Sequence, residues 1–148
     1  MKRLTFTIIA LSLLIGGCIN EYGKPSSVRA TPIKIADLAQ NPAQWKGKLV
    51  EVEGAFNWEL EGDAIFETNE DLKLKNLKKA ISLGLDDPAL KIPYGKQDKN
   101  SIWRKILVPM SLRLHIGKPA VVTGVFQPES FGGLYSGSIR VTQMTLKK

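Results

Sequence analysis

From Leu49 to Leu146 the hydrophobic positions recur mostly at every second residue, the spacing that puts them on one side of a β-strand. Within Leu49–Phe56, Val50, Val52 and Phe56 share a face, which predicts a strand that buries those three. A second strand over Ala64–Glu67 follows the Glu61-Gly62-Asp63 turn. A third, Lys79–Leu85, alternates through Ile81, Leu83 and Leu85 until Asp86-Asp87-Pro88 stops it. Pro119–Phe126 and Ser138–Leu146 complete a set of five. In the last one, Ile139, Val141, Gln143 and Thr145 oppose Arg140, Thr142, Met144 and Leu146, so alternation does not choose a buried face. Ahead of the strands the period changes. Ile35, Leu38 and Ala39 fit i, i+3, i+4 spacing and predict a short helix over Ile33–Gln40, with Thr31 as N-cap and Asn41-Pro42 as its end.

An internal echo narrows the architecture. Gly47-Lys48 is followed by Val52, Gly54 and Phe56; Gly117-Lys118 is followed at the same offsets by Val122, Gly124 and Phe126. Both segments start at a turn, run apolar, meet a glycine and close on a phenylalanine. Glycine within a strand marks a bulge or a tight bend, and two matching bends in five strands predict a small, strongly coiled barrel.

The first residues follow a different pattern. Lys2 and Arg3 precede an apolar run, Leu4–Ile15. Twelve helical residues reach roughly 18 Å, well short of a bilayer core of about 30 Å. This is the pattern of a secretory signal peptide rather than a membrane-spanning helix. The run ends in Ile15-Gly16-Gly17-Cys18, which resembles the lipobox of bacterial lipoproteins. The resemblance implies that Ile15, Gly16 and Gly17 are read by the signal peptidase and that Cys18 receives a diacylglyceryl group and becomes the new N-terminus. Ile19, rather than Asp, after the cysteine implies the periplasmic face of the outer membrane. The division that follows is residues 1–17 as signal peptide, 18–31 as lipidated cysteine and flexible tether, and 32–148 as the domain.

Composition restricts the chemistry. The chain has 148 residues, room for one ordinary domain expected to be monomeric. One Cys and one His exclude a disulfide framework and a zinc site built from cysteines or paired imidazoles, so neither metal nor cofactor is expected. The net charge of +7 owes two units to Lys2 and Arg3, leaving little of the basic surface that nucleic-acid binding requires. His115 alternates with Leu114 and Ile116 and has no serine or cysteine partner in a motif, which reads as a structural histidine. Glu59 with Glu61, and Asp86 with Asp87, are the carboxylate pairs available for hydrolysis. Gly132-Gly133 lacks the Lys-Ser/Thr ending of a phosphate loop. Trp58, Phe131 and Tyr135 form the candidate ligand surface, since aromatics beside loops can stack on sugar or base rings or else cap a core.

Leu38-Ala39-Gln40-Asn41-Pro42-Ala43-Gln44-Trp45-Lys46-Gly47-Lys48, Val50–Gly54, Gly117–Phe126 and Tyr135-Ser136-Gly137 together resemble a group of small uncharacterised bacterial envelope lipoproteins. Their domain is OB-fold-like, of the kind compared with tRNA-anticodon-binding modules. Phe131-Gly132-Gly133 stands where that group often has a Gly-His pair, so no role resting on that histidine carries over. The expectation is mainly β: a five-stranded OB-like barrel with a short N-terminal helix, held to a membrane by its lipid. It would act as a non-catalytic binding module for a protein or glycan partner; an oligonucleotide binder or a carboxylate hydrolase are the alternatives. One consequence is testable without a structure. Cys18→Ser is expected to abolish palmitate labelling and leave an uncleaved precursor, and equal labelling of mutant and parent would refute the lipobox reading.

Overall fold

A computed structural model describes residues 20–59, 62–85, 90 and 110–147. Cys18, Ile15, Gly16, Gly17, Glu61, Asp86 and Asp87 therefore lie outside the described residues, and Phe131 is described in its backbone alone. The elements are β1 (Asn20–Gly23), β2 (Thr31–Pro32), α1 (Ile35–Gln40), α2 (Pro42–Trp45), β3 (Leu49–Asn57), β4 (Ala64–Phe66), α3 (Asn69–Lys73), β5 (Ala80–Gly84), α4 (Met110–Arg113), β6 (Pro119–Gln127) and β7 (Ser138–Leu146). Short 3₁₀ turns span Leu77–Lys79 and Phe131–Gly133.

The five expected strands close on themselves in the order β3-β4-β5-β7-β6 and back to β3. Every joint is antiparallel except β5 with β7. This is the small closed barrel of five strands that the paired glycine bends predicted. Val50, Val52 and Phe56 are fully buried, as are Ile65, Ile81, Val122, Phe126, Ile139 and Met144, and together they fill the interior.

The echo has a structural meaning. Val52 pairs directly with Val122, so the two copies run antiparallel about a local two-fold axis passing between those residues. The main chain repeats the symmetry. Gly47 N–H donates to the Phe126 carbonyl and Gly117 N–H to the Phe56 carbonyl, both at 2.8 Å. Phe56 N–H donates to Lys118 and Phe126 N–H to Lys48, both at 3.0 Å. Each Gly-Lys turn thus closes on the far end of the other strand. Gly47 and Gly117 sit at φ of +74° and +78°, where a side chain is strained. The central glycines match as well. A Cβ on Gly54 would collide with the Phe66 carbonyl oxygen on β4, and one on Gly124 with the Arg140 carbonyl oxygen on β7.

The ambiguous face of β7 has a physical cause. The register shifts between Thr123 and Gly124, which leaves Thr142 as an extra residue whose Oγ1 donates to the Thr123 carbonyl at 3.2 Å. A bulge changes the phase of the alternation. Ile139 and Val141 are buried before it, Met144 and Leu146 after it. No single face could have been chosen, because the strand switches faces.

Three expectations are corrected. Thr31 is not a helix cap: Thr31–Pro32 pairs in parallel with Val50–Glu51, Ile33 N–H bonds the Glu51 carbonyl, and α1 starts after Lys34 without a side-chain cap. Ladder formation outcompetes the cap here. The stretch read as a flexible tether also carries β1, which pairs antiparallel with β7 from Asn20↔Leu146 to Gly23↔Gln143. Barrel strands are shared obliquely between two neighbours, so β7 is left with a free half-edge that β1 covers. Pro42, expected only to end α1, opens α2 at a position that suits its fixed φ.

The paired glycines generate a measurement. Gly54→Val and Gly124→Val each drive a side chain against a neighbouring backbone and are expected to cost about 3 kcal/mol in denaturant unfolding. Stability equal to the parent in both would overturn the close-packed arrangement, since valine suits an open strand better than glycine.

Candidate functional site

The loop side of the barrel holds two of the three aromatics singled out from the sequence, and it separates them. Trp58 is only 7% exposed and belongs to the main core, its ring 6.4 Å from Phe56 at a tilted angle. It caps the interior and offers no stacking platform, which corrects its place in a ligand surface. β3 ends at Asn57, and Trp58 directly after it turns back onto the core. Tyr135 is half-buried outside the barrel against Ala55, Ala64, Phe66 and Ala80. Its backbone is held by Ser130, whose Oγ accepts from Tyr135 N–H at 3.2 Å and donates to the Tyr135 carbonyl at 3.0 Å. Trp58 and Tyr135 therefore do not share one face.

Tyr135 instead meets the β3–β4 loop. A Cβ on Gly62 would lie 2.7 Å from its hydroxyl, so a side chain there would push the tyrosine tip aside. Asp63 follows, with Oδ1 buried and unpartnered among the described residues. Burial pushes its carboxyl up to about 7, opposed by a hydrogen bond from the Glu59 backbone. The Tyr135 hydroxyl is also raised, by burial first and then by the Glu59 and Asp63 carboxylates. Asp71 shows the opposite solution to the same problem. It accepts from the Thr68 hydroxyl at 2.5 Å and from Asn76 Nδ2 at 3.2 Å, with Lys79 Nζ 3.5 Å away. Thr68, Asn76 and Lys79 hold that carboxyl below its usual range, and the cluster caps α3. His115 is 4% exposed and structural in placement, in the position on its Gly-Lys turn that Trp45 holds on the other.

A deeper concavity than the surroundings of Tyr135 offer lies along the barrel wall beside the two N-terminal helices. It encloses about 690 Å³ and is lined by Pro32, Ile33, Lys34, Asp37, Asn41, Gln44, Trp45, Glu51, Glu53 and Val121. Its floor follows from alternation: Val50 and Val52 point inward, so Glu51 and Glu53 face out. Its rim follows from the helix pair, because α1 stops at Asn41 and α2 starts at Pro42, turning Gln44 and Trp45 toward the sheet. Trp45 packs partly on the core, with Lys48 Nζ 5.1 Å from the centre of its ring. Glu53 receives Lys147 Nζ at 2.7 Å. Indole, amides and carboxylates side by side provide a flat apolar surface with hydrogen-bonding groups around it.

Sequence reasoning passed over this groove. Glu51, Glu53 and Trp45 are not among the candidate site residues that the sequence singles out. No local signal marks them: the groove depends on the parallel pairing of Thr31–Pro32 with β3, which brings the helices over those glutamates. No protein-family model matches this chain, nor does any curated protein or solved structure.

Asp63 generates a pH prediction. Its folded pKa, about 7, lies above the ordinary 3.8, so its contribution to stability is complete below pH 3.8 and is lost as pH rises toward 7. Asp63→Asn is expected to stabilise the fold by about 2 kcal/mol at pH 8, allowing for partial solvent screening, and by almost nothing at pH 3.5. Urea unfolding at the two pH values measures this, and an equal effect at both would exclude the buried-carboxyl explanation.

Proposed function

We propose that the barrel is a non-catalytic binding module of a lipid-anchored protein of the bacterial cell envelope, and that the groove beside Trp45 takes a glycan. The observation that carries the reading is the lining of the 690 Å³ groove: an indole, the Asn41 and Gln44 amides, and the carboxylates of Asp37, Glu51 and Glu53. A sugar ring has an apolar C–H face and a polar rim of hydroxyls. Trp45 matches the first, while the amides and carboxylates match the second. The acidic floor works against a nucleic-acid ligand, whose phosphates it would repel. Envelope location rests on the Lys2–Cys18 pattern, and glycans are abundant there.

Titration calorimetry of the purified protein with soluble peptidoglycan fragments and other envelope oligosaccharides tests the reading. Trp45→Ala and Gln44→Ala are expected to weaken binding at least tenfold, while Tyr135→Ala, away from the groove, leaves it unchanged. Circular dichroism checks that each variant folds. Binding unaffected by both groove substitutions would overturn the site. A protein ligand displaced by these same substitutions would replace the glycan with the protein partner.

A further inference from the structure

One end of the barrel carries features that the groove does not use. β1 begins at Asn20 opposite Leu146, β6 begins at Pro119 opposite Ala55, and Lys147 N–H donates to the Pro119 carbonyl at 3.0 Å. The start of β1, the start of β6 and the end of β7 are therefore neighbours. The turn entering β6 lies at this same end. It presents Leu114 at 65% exposure and Ile116 at 42%, although both are large aliphatic side chains. The turn is firmly held. His115 N–H bonds the Leu112 carbonyl, Ile116 N–H that of Arg113, Gly117 N–H that of Phe56, and Lys118 N–H that of His115. Gly117 supplies the positive φ that closes it, at +78°. The two aliphatic tips are thus fixed in the open, between exposed Arg113 and half-exposed Lys118.

The chain preceding β1 says what faces this end. Cys18 stands two residues before Asn20, so a lipid on its sulfur is attached at most about 7 Å along the backbone from the start of β1. With β1 laddered to β7, that length leaves no room for the barrel to swing far from the bilayer. We propose that the Leu114–Lys118 turn is a membrane-docking surface, with Leu114 and Ile116 dipping into the headgroup–acyl boundary and Arg113 and Lys118 against lipid phosphates. This rests on lipidation of Cys18. Two aliphatic side chains bind a bilayer weakly on their own; anchoring supplies the high local concentration that lets them act. Leu134 is exposed on a separate loop, seven residues beyond the end of β6, and serves as the comparison site.

The test uses the full lipoprotein, purified and reconstituted into vesicles of phosphatidylethanolamine and phosphatidylglycerol at three to one. Nitroxide labels are placed through Ile116→Cys and, separately, Leu134→Cys, with circular dichroism confirming the fold. Both sites are exposed, so the labels replace surface side chains. Docking predicts that the label at 116 collides with oxygen more than with a water-soluble nickel chelate, while the label at 134 shows the aqueous ratio. Adding Leu114→Asp should return the label at 116 to the aqueous ratio. Intact mass separates the two ways to fail. A lipid mass on Cys18 with an aqueous label at 116 overturns docking alone. An unlipidated Cys18 that itself takes up nitroxide overturns the anchor reading and the docking with it.

Discussion

The pairing of β3 with β6 is the constraint on which the rest of this barrel depends. It joins two segments seventy residues apart, and it is sealed at both ends by the same reciprocal hydrogen bonds between a Gly-Lys turn and a phenylalanine of the other strand. Once it forms, Val52 and Val122 mark the centre of the core, Phe56 and Phe126 enter it from opposite ends, and each strand passes its remaining edge to β4 or β7. The glycines at the two crossings let those edges approach within backbone contact. A barrel of five short strands has little interior to spare, and close approach is how this one fills it.

Much of this architecture was legible in the residues. All five barrel strands, the buried positions of β3 and the kinship of the two glycines follow from period-two spacing and equal offsets. Three features escaped, each for a physical reason. The bulge at Thr142 is a property of the β6–β7 pair and leaves no mark on β7 read alone. Thr31 has the chemistry of a cap but is recruited by the open edge of β3, a tertiary effect that local propensity cannot include. Asn20–Gly23 has no alternation to read because it pairs over only four residues at the rim.

The site was less legible than the fold. Trp58 and Tyr135 were reasonable choices by residue type, but a side chain's exposure depends on the strand that carries it. Trp58, just past β3, packs into the core, whereas Trp45, carried by α2, lies half-buried on the outer wall. The groove proposed as the binding site lies on the outer wall rather than at the loop ends. The interior is filled with aliphatic and aromatic side chains, and the acids that alternate with them are the groups left to meet a ligand.

The ladder between β1 and β7 also bears on the order in which the chain can fold. It ties residues near the beginning of the chain to its last strand, across more than a hundred residues of sequence, and closing so long a loop costs entropy before any contact returns it. β5 and β6 likewise wait for β7, which both of them border. The barrel therefore cannot complete itself from its N-terminal half as synthesis proceeds. Until β7 emerges, the edges that border it remain open, and a nascent chain of this kind is kept from premature closure by its own topology.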